Sequence, residues 1–446
     1  MTATLPPRAR RSYALGSVAT GTFGTVPGLL LLPYLTDTLG VAALVAGFIV
    51  FVPKAWDVVL NPIAGRISDR STSARGRRRP FLLWGGIALA ACFGLLFAGP
   101  AEPEGLAGTW VVIAFLGCAS AYAFFQVPYV AMPAEMTSDY DERTRVMTWR
   151  VAVLAFAILV SGATAPAVRD AVGGHTGYRV MGVYVAVLIL AGALGAYSGT
   201  RSAPSIPTAA GVGGIRTQLR LVARVPEFRL LLLTFVLQAL ATGAMLAAVD
   251  YVARYLLAGG SSILFACFVG PALLVSGLWS RFAHRHGKRR GYAVASAFLA
   301  AGALGLLASL SGSAVVVYAA TAIAGIGYAG AQVFPLAMLP DVAAVDAART
   351  GENRIGVFTG VWTAGETLGL ALGPGLYALI LALGGYVSST SGDADQPHSA
   401  EIAIALGFSA VPAALVVLSL LTLRRYRLGA ADVRATVAGS PEEGAP

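Results

Sequence analysis

Charged side chains are scarce in this chain. Asp, Glu, Lys and Arg make up 12% of its 446 residues, whereas hydrophobic side chains make up 57%. The mean hydropathy is +0.72, and soluble domains carry about 25% charged residues, largely on their surface. The scarcity therefore excludes an ordinary soluble protein and predicts that a lipid bilayer surrounds most of the chain.

Cysteine and histidine are scarce as well, with three and four residues. Cys92, Cys118 and Cys267 lie singly in apolar stretches, without metal or redox spacing, and we interpret them as packing residues. The histidines all lie in predicted loops, and the sequence contains no HExxH, GxSxG or Ser–His–Asp arrangement. We therefore expect neither an enzyme nor a bound metal or other cofactor.

Twelve apolar stretches are long enough to cross the roughly 30 Å of bilayer hydrocarbon. A helix satisfies its own backbone hydrogen bonds in lipid, so each stretch predicts a transmembrane helix. The predicted fold class is an all-α polytopic membrane protein with spans at about 13–36, 42–67, 81–99, 108–136, 147–168, 178–199, 228–257, 261–282, 291–312, 314–340, 355–386 and 400–423.

Basic residues are distributed unevenly between the two sides of these spans. All 32 except Lys54, Arg169, Arg179 and Arg254 lie in the amino terminus, the even-to-odd loops or the carboxyl tail. Short cytoplasmic loops are rich in Lys and Arg, so this distribution predicts a multi-pass cell-membrane protein with both termini in the cytoplasm. It also accounts for the net charge of +10, and we expect no nucleic-acid partner.

A polar segment rich in Pro, Gly, Ser and Arg divides the chain six spans to six. The predicted parts are an N-terminal six-helix bundle at 1–200, a cytoplasmic central loop at 201–227, a C-terminal six-helix bundle at 228–428 and a disordered cytoplasmic tail at 429–446.

An internal repeat supports this division. The segment FQVPYVAMPAEMTSDYDERTR at 125–145 is echoed by AQVFPLAMLPDVAAVDAARTGENR at 331–354. Gln126 and Gln332 are 206 residues apart, as are Glu135 and Asp341. In both copies we expect an acidic and then basic turn after an apolar helix. The repeat predicts two pseudo-symmetric halves.

The loop after the second span reads GRISDRSTSARGRRRP at 65–80. It resembles the major facilitator loop signature, in which the glycine lets two helices approach closely and the Asp pairs with cations to latch one state. On this resemblance we assign gating to Gly65, Asp69 and Arg70, with an ordinary cytoplasmic anchor as the alternative for the basic run that follows. The loop at 281–291 lacks the Asp, so we expect a degenerate latch there. The repeated turns add the gating residues Asp139, Arg143, Asp341 and Arg349.

Few ionisable side chains lie within the spans, where an unpaired charge is costly. Lys54, Asp57 and Asn61 share one face of the second helix because they are spaced i, i+3 and i+7. Glu366 lies at a similar depth in the eleventh helix. We predict that Asp57, Glu366 and Asn61 couple transport to a cation, with the two carboxylates facing one central cavity. The alternatives are a static pair of Asp57 with Lys54 and a helix-to-helix hydrogen bond of Glu366.

Other polar and aromatic side chains on the spans are candidates for substrate binding. Each could equally bond to or pack against a neighbouring helix. Asp250 and Arg254, spaced i, i+4 near the outer end of the seventh helix, are interpreted instead as an interfacial pair or an extracellular gate. The substrate-binding candidates are Lys54, Gln126, Tyr122, Arg150, Gln332, Trp362 and Thr363.

The chain resembles the glycoside–pentoside–hexuronide cation symporters, the family that contains the melibiose permeases. The resemblance implies a major facilitator fold of two six-helix bundles around a central cavity, alternating access, and coupling of a cation to substrate. Four blocks carry it: PYLTDTLG at 33–40, VPKAWDVVLNPIAGRISD at 52–69, VPYVAMPAEMTSDYDERTR at 127–145 and AMLPDVAAVDAARTGENRIGVFTGVWTAGETLGLALG at 337–373.

The sequence departs from that family's sodium-coupled melibiose pattern at particular positions. By the resemblance, Leu60 stands at an Asn, Asn61 at a second acid, and Ala123 at a Thr of the sodium site. Gly21 and Gln126 stand where acids grip galactoside hydroxyls. These departures favour a proton over sodium as the coupling ion and argue against galactoside transport.

The predicted function is secondary active transport by alternating access, as proton-coupled symport of a glycoside or other small polar solute. The driving force is a proton gradient, with sodium disfavoured. The alternative is a proton-linked carrier of an amphiphile such as a lysolipid, glycolipid or drug, including an exporter. A non-transporting sensor is a third interpretation, which the two mid-membrane acids argue against. The expected partners are a small-molecule substrate and the lipid bilayer, and the chain is expected to act as a monomer.

Overall fold

The computed structural model describes residues 5–73, 76–137, 139–201, 223–257, 259–352, 354–390 and 394–429. Residues 202–222 of the predicted central loop, residues 430–446 of the predicted tail and Arg75 of the loop motif lie outside these ranges. The prediction of a disordered tail therefore falls almost entirely on residues that the structure does not describe.

The described residues form thirteen α-helices, with a π-helical turn after the seventh and a 3-10 turn after the ninth. The helices are α1 (Pro7–Asp37), α2 (Ala43–Asp69), α3 (Arg79–Leu96), α4 (Glu104–Met136), α5 (Tyr140–Val172), α6 (Gly174–Gly199), α7 (Pro226–Tyr251), α8 (Ser261–His286), α9 (Lys288–Gly305), α10 (Ala314–Thr350), α11 (Ile355–Leu383), α12 (His398–Phe408) and α13 (Ala410–Arg425); the π-helical turn is Val252–Leu256 and the 3-10 turn is Leu306–Ser311.

Twelve helical segments within the described ranges are long and apolar enough to cross a membrane. This confirms the predicted number of spans. The tenth span differs in one respect, because α10 runs for 37 residues, well beyond the roughly 20 that cross the hydrocarbon. The expected turn after residue 340 is therefore helical, and Asp341 and Arg349 lie on the extension of α10.

The last span consists of two helices rather than the single one that the sequence predicts. α12 ends at Phe408, and α13 begins at Ala410, with Ser409 between them in a non-helical conformation. Pro412 explains the position of the break. A proline cannot donate a hydrogen bond to the carbonyl four residues earlier, which here belongs to Phe408, and its ring crowds that carbonyl.

The chain divides into two compact units, and the first comprises Met1–Gly211, Leu246–Ala266 and Pro374–Ala403. Within it, α1 packs along α5 and α6, α3 along α4 and α6, and α2 along α4. The ends of later helices therefore pack with the first six helices. Since this unit joins segments that are distant in sequence, the predicted boundaries at 200 and 228 stay a prediction.

The second unit comprises Val212–Met245, Cys267–Gly373 and Ile404–Pro446. Here α9 packs along α10 and α13, and α11 lies against α7 at a seam of small residues. A Cβ added at Gly373 would collide with the backbone of Gly243, and one at Gly369 would lie 2.8 Å from the Cβ of Ala239. Glycine permits this approach, since any side chain would push the two helices apart.

Candidate functional site

Asp57 and Lys54 lie one turn apart on α2, in the first unit. Asp57 is only 3% exposed, and its Oδ1 atom is buried without a hydrogen-bonding partner. The Lys54 amino group lies over the rings of Phe23 and Phe115, 4.9 Å and 5.9 Å from their centroids. Among the described residues no ion pair within 4.0 Å joins Lys54 to Asp57, so the direct contact that the spacing allowed is not formed, although the two charges still attract at longer range.

The α4 candidates lie beside this lysine. The ring of Tyr122 is 4.5 Å from that of Phe23, which places Tyr122 against the aromatic neighbour of Lys54. Gln126 is half-buried, one turn further along the same helix. Phe23 and Phe115 were not singled out from the sequence, because an aromatic side chain within an apolar span carries no distinguishing pattern.

Arg150 on α5 has a different set of neighbours. Its guanidinium lies over the ring of Tyr129, 5.5 Å from the centroid, and its Nε is buried without a hydrogen-bonding partner. Tyr129 is held in turn by Tyr13 and Ser17, since its hydroxyl lies 3.0 Å from the Tyr13 carbonyl and 2.9 Å from Ser17 Oγ. Arg150 therefore offers an unused N–H donor beside a fixed aromatic ring.

Apolar side chains fill the place to which the resemblance assigns two sodium ligands. Leu60 and Ala123 belong to one buried cluster with Ala64, against which Phe124 and Val127 pack. Asn61, one residue on from Leu60, is half-buried. The α2–α4 contact at this level thus offers hydrocarbon in place of the oxygen ligands that a sodium ion needs.

Glu366 on α11 lies in the second unit. It is partly buried, and it makes no hydrogen bond or ion pair with the described residues. Glu366 therefore does not form the helix-to-helix hydrogen bond that was its alternative role, as far as the described residues are concerned. Asp57 and Glu366 lie in different units, and the expectation that they face one cavity stays a prediction.

The other second-unit candidates have contacts of their own. Trp362 is buried and stacks on Phe235 with ring centroids 4.5 Å apart, while its Nε1 has no partner. Thr363 is exposed and donates to the carbonyl of Thr359 in its own helix. Gln332 donates to the Tyr328 hydroxyl, 2.9 Å away on the same helix. The unused donor of Trp362 is the clearest polar binding group among them.

The loop motif forms an ion-pair chain that joins three helices. Arg78, 7% exposed, donates from Nη2 to Asp69 Oδ1 at 2.8 Å and from Nε to Glu135 Oε1 at 2.6 Å. Arg77 donates to the Asp69 carbonyl. Asp69 is paired as the signature implies, but the cation is Arg78, whereas Arg70 is exposed. A Cβ at Gly65 would make only ordinary contact with Val127, at 3.5 Å.

The second unit contains the matching contact. Lys288 at the start of α9 lies 2.6 Å from Asp341 Oδ2, and Asp341 is the repeat partner of Glu135. The absence of the Asp from the loop at 281–291 therefore leaves this half of the arrangement intact. Arg349 pairs loosely with Glu227 at 3.5 Å.

Asp139 and Arg143 have local roles at the start of α5. Asp139 is the amino-terminal cap and accepts a hydrogen bond from the Glu142 backbone N–H at 2.9 Å. Arg143 donates to the Thr137 carbonyl at 3.2 Å. Both contacts fix the turn between α4 and α5, the role that an acidic cap ordinarily has.

Asp250 and Arg254 belong to a larger cluster in the first unit. They are 3.4 Å apart, and Arg169 of α5 binds both carboxylate oxygens of Asp250, each at 2.8 Å. Arg254 also lies 3.3 Å from Asp37 of α1. A signal for this cluster was present in the sequence, because Arg169 and Arg254 are two of the four basic residues outside the cytoplasmic segments.

Comparison with known proteins places the chain in a family. The family model described as MFS/sugar transport protein matches residues 12–430. A putative glycoside/cation symporter, YagG, of Escherichia coli strain K12 is 32% identical over 157 residues, which are 35% of this chain and 34% of that protein. That alignment therefore spans about a third of each chain.

Two further similarities extend over nearly the full length. The sodium-dependent lysophosphatidylcholine symporter 1-A of Danio rerio is 23% identical over 93% of this chain and 84% of its own. The crystal structure of a bacterial homologue of the human lysosomal transporter Spinster, inward-facing and unoccupied, has a TM-score of 0.68 at 13% identity and covers 98% of both chains. At that identity the structural likeness shows the fold alone.

Proposed function

We propose that this chain, which belongs to the family of MFS/sugar transport proteins, is a proton-coupled symporter of a glycoside or another small polar solute. Membership gives the coarser statement without further inference: the protein is a multi-pass membrane transporter of the major facilitator fold, and not an enzyme. The identities of the coupling ion and of the transported solute are proposed from the contacts of the candidate residues.

The observation that carries the proposal is the unpartnered carboxylate of Asp57. A buried acid usually has a cation or several hydrogen-bond donors beside it, because an isolated charge is costly away from water. Asp57 Oδ1 has no hydrogen-bonding partner, and the neighbouring Lys54 lies over Phe23 and Phe115 and acts on the carboxylate only from beyond ion-pair distance. A carboxylate in this situation is suited to binding a proton on one side of the membrane and releasing it on the other.

The surroundings of Asp57 favour a proton over sodium. A sodium ion needs several oxygen ligands at once, and Leu60 and Ala123 supply none from the α2–α4 contact. A proton needs a single acceptor. Glu366, which also lacks a partner among the described residues, is proposed as the second proton carrier.

A small polar solute suits the polar and aromatic candidates of the first unit. The Lys54 ammonium lies between aromatic faces, Tyr122 adds a hydroxyl, and the Arg150 guanidinium has an unused N–H. Aromatic faces stack on sugar rings, and the three polar groups can bind hydroxyl or acid oxygens. Lys54, Tyr122 and Arg150 are therefore proposed to contact the substrate.

A lysolipid is the second candidate substrate. It is favoured by the similarity over 93% of this chain to a lysophosphatidylcholine symporter, and by the aromatic surface of Phe23, Phe115 and Tyr122, which an acyl chain could contact. The lysine and arginine would then bind the phosphate. Sodium dependence in that relative contrasts with the apolar Leu60 and Ala123 cluster here.

The experiment that tests coupling uses the purified protein in liposomes that contain a pH-sensitive dye. A thermal-stability panel of glycosides, glucuronides and lysophosphatidylcholine first identifies a ligand, because binding raises the unfolding temperature. Adding a glycoside ligand should then acidify the lumen as protons enter with it. Asp57→Asn should still be stabilised by the ligand but should not acidify the lumen.

The matched control is Asp170→Asn, which removes a carboxylate that is 46% exposed. It should acidify like the unsubstituted protein. Undiminished acidification by Asp57→Asn would contradict the coupling role of Asp57, and uptake driven by sodium alone would contradict the choice of ion. Stabilisation by lysophosphatidylcholine but by no glycoside would select the second substrate.

A further inference from the structure

We propose that Asp37, Arg169, Asp250 and Arg254 form a latch that closes one end of the transporter, and that every transport cycle separates Arg169 from Asp250. The four residues are called the latch below. The proposal rests on the transport activity of the family, and not on which ion or solute is carried.

The strongest contact of the latch is a two-point ion pair. Arg169 Nη1 and Nη2 each lie 2.8 Å from one carboxylate oxygen of Asp250, the parallel geometry in which arginine binds carboxylate best. The two side chains are 6% and 2% exposed. Ser261, at the start of α8, donates a further hydrogen bond to Asp250 Oδ1 at 2.8 Å.

A second pair lies beside the first. Arg254 Nη1 is 3.3 Å from Asp37 Oδ2, and Arg254 Nη2 is 3.4 Å from Asp250 Oδ2. Asp37 also accepts hydrogen bonds from Thr36 at 2.6 Å and from Tyr386 at 2.5 Å. Asp37 is therefore bound from its own helix, from the segment after α7 and from the segment after α11.

The connecting segment after α11 is held at the same place. Burial raises the pKa of the Tyr386 hydroxyl, with a further rise from the Asp37 charge, so this group stays protonated and remains a donor at physiological pH. Three residues on, the Ser389 backbone N–H donates to the Thr36 carbonyl at 2.9 Å. The latch thus fixes three segments that follow the sixth helix against α1 and α5.

The charges are arranged crosswise. The first six helices contribute Asp37 and Arg169, and the later segments contribute Asp250 and Arg254, so each set of two is neutral by itself; Asp170, which also contacts Arg169, is 46% exposed and thus reaches solvent in the closed state. Each acid faces a base from the other set. Such an arrangement binds tightly when closed, and after separation it leaves neither set with a net charge to be solvated. A permanent structural ion pair never separates, so it would not need each set to be neutral by itself.

The need for separation follows from transport. A carrier must expose its binding site to each side of the membrane in turn, by rocking its early helices against its late ones. The later segments Leu246–Ala266 and Pro374–Ala403 pack into the first unit, and the latch lies in this contact. Opening this end requires that these segments leave α1 and α5, which breaks the Arg169–Asp250 pair.

The test measures the distance across this end in the full chain, with Cys92, Cys118 and Cys267 replaced. Spin labels are placed at Glu104→Cys and His398→Cys, both exposed and both at the starts of helices on this side. The unsubstituted latch should give one dominant short distance by pulsed electron resonance. Asp250→Asn should increase the ratio of long to short distances by on the order of tenfold, because Arg169 then loses its buried two-point partner and keeps only the exposed Asp170.

Three companion variants make the result decisive. Asp170→Asn removes the exposed partner of Arg169 and should leave the distances unchanged. Tyr386→Phe keeps the ring but loses the hydrogen bond to Asp37, and should shift the ratio in the same direction by a smaller factor. The exchange Arg169→Asp with Asp250→Arg should recover part of the short distance, a rescue that a merely structural effect would not produce.

The proposal is overturned if Asp250→Asn and Tyr386→Phe both keep the distance distribution of the unsubstituted latch. If Asp250→Asn does not fold, Tyr386→Phe and the charge exchange decide the matter alone. The distance measurements need neither a substrate nor a proton gradient. Failure of the latch proposal can therefore be told apart from failure of the proton-coupling proposal.

Discussion

Arg78 joins two carboxylates that come from different helices. It bonds to Asp69 at the end of α2 and to Glu135 near the end of α4, and Glu135 has few other ways to satisfy its charge because it is buried. Removing one partner of a buried ion pair costs more than the pair contributes, since the other charge stays in place without compensation. The effect of substituting Arg78 therefore depends on whether the buried Glu135 keeps its charge.

We expect Arg78→Gln to lower the free energy of unfolding by about 3 kcal/mol, because Glu135 then stays buried without its hydrogen-bonded cation, and only the longer-range attraction of Arg79 remains. Chemical denaturation in detergent micelles measures the change. Arg70→Gln is the matched control, since it alters an exposed arginine of the same loop, and it should change stability by less than about 0.5 kcal/mol.

The double variant Arg78→Gln with Glu135→Gln separates this explanation from a general loss of packing. It removes both charges, so it should be more stable than Arg78→Gln alone. A double variant that loses the sum of the two single losses would show that the pairing of Arg78 with Glu135 is not the cause.

Candidate site residues could be named from the sequence where one charge stands out against hydrocarbon. Asp57, Lys54 and Glu366 were found in this way. Their partners were not, because pairing depends on which helices meet: the spacing suggested Lys54 for Asp57, and the structure places that lysine over aromatic rings instead. For the same reason the sequence left open which cation of the loop pairs with Asp69, and the structure shows that it is Arg78.

At the scale of helices, the seam between α7 and α11 depends on the absence of side chains. Gly369 and Gly373 are one turn apart and both face α7, where Gly243 and Ala239 lie. Close backbone approach of this kind is a principal source of helix association in lipid, where no hydrophobic driving force holds helices together.

We predict that Gly373→Ala destabilises the protein by about 1–3 kcal/mol, because the new methyl group collides with the backbone of Gly243, which cannot move aside as a side chain can. Gly360→Ala on the same helix is the control. Nothing lies within 4 Å of a Cβ there, and alanine should be neutral or stabilise by about 0.5 kcal/mol.

Thermal unfolding of both variants in the same detergent gives the comparison. Equal unfolding temperatures for Gly373→Ala and Gly360→Ala would mean that the α7–α11 seam tolerates separation and that the packing argument is wrong.

The helices themselves were predictable because lipid permits few alternatives. Every apolar stretch of sufficient length had to be helical, and all twelve are. The break at Ser409 was harder to foresee. Pro412 contributes a physical cause, yet α4 and α10 each continue through two prolines, so proline alone does not decide whether a span is interrupted.

At the scale of the whole chain, the uneven distribution of basic residues predicts an orientation. The ends that carry the latch should lie outside the cytoplasm, and the loop with Arg78 should lie inside. Thiol labelling in intact cells tests this on a background without native cysteines. Glu104→Cys and His398→Cys should react with a membrane-impermeant reagent.

The control for orientation is His286→Cys at the exposed end of α8, which should react only after the membrane is permeabilised. The reverse labelling pattern would contradict the predicted topology. It would leave the latch geometry unchanged and assign it to the cytoplasmic end.

The crosswise charges of the latch have a consequence for the energetics of the membrane potential. A charge that moves through the field across the bilayer changes the free energy by about 2.3 kcal/mol per 100 mV. Asp37 with Arg169, and Asp250 with Arg254, each form a set whose charges cancel. When the two sets part, equal positive and negative charge moves together, so the electric work is close to zero. The latch charges should therefore make opening of this end no easier in an energised than in a depolarised cell, and a voltage dependence of transport would arise from other charges, those of the carried ion and solute and of intramembrane residues such as Asp57 and Lys54.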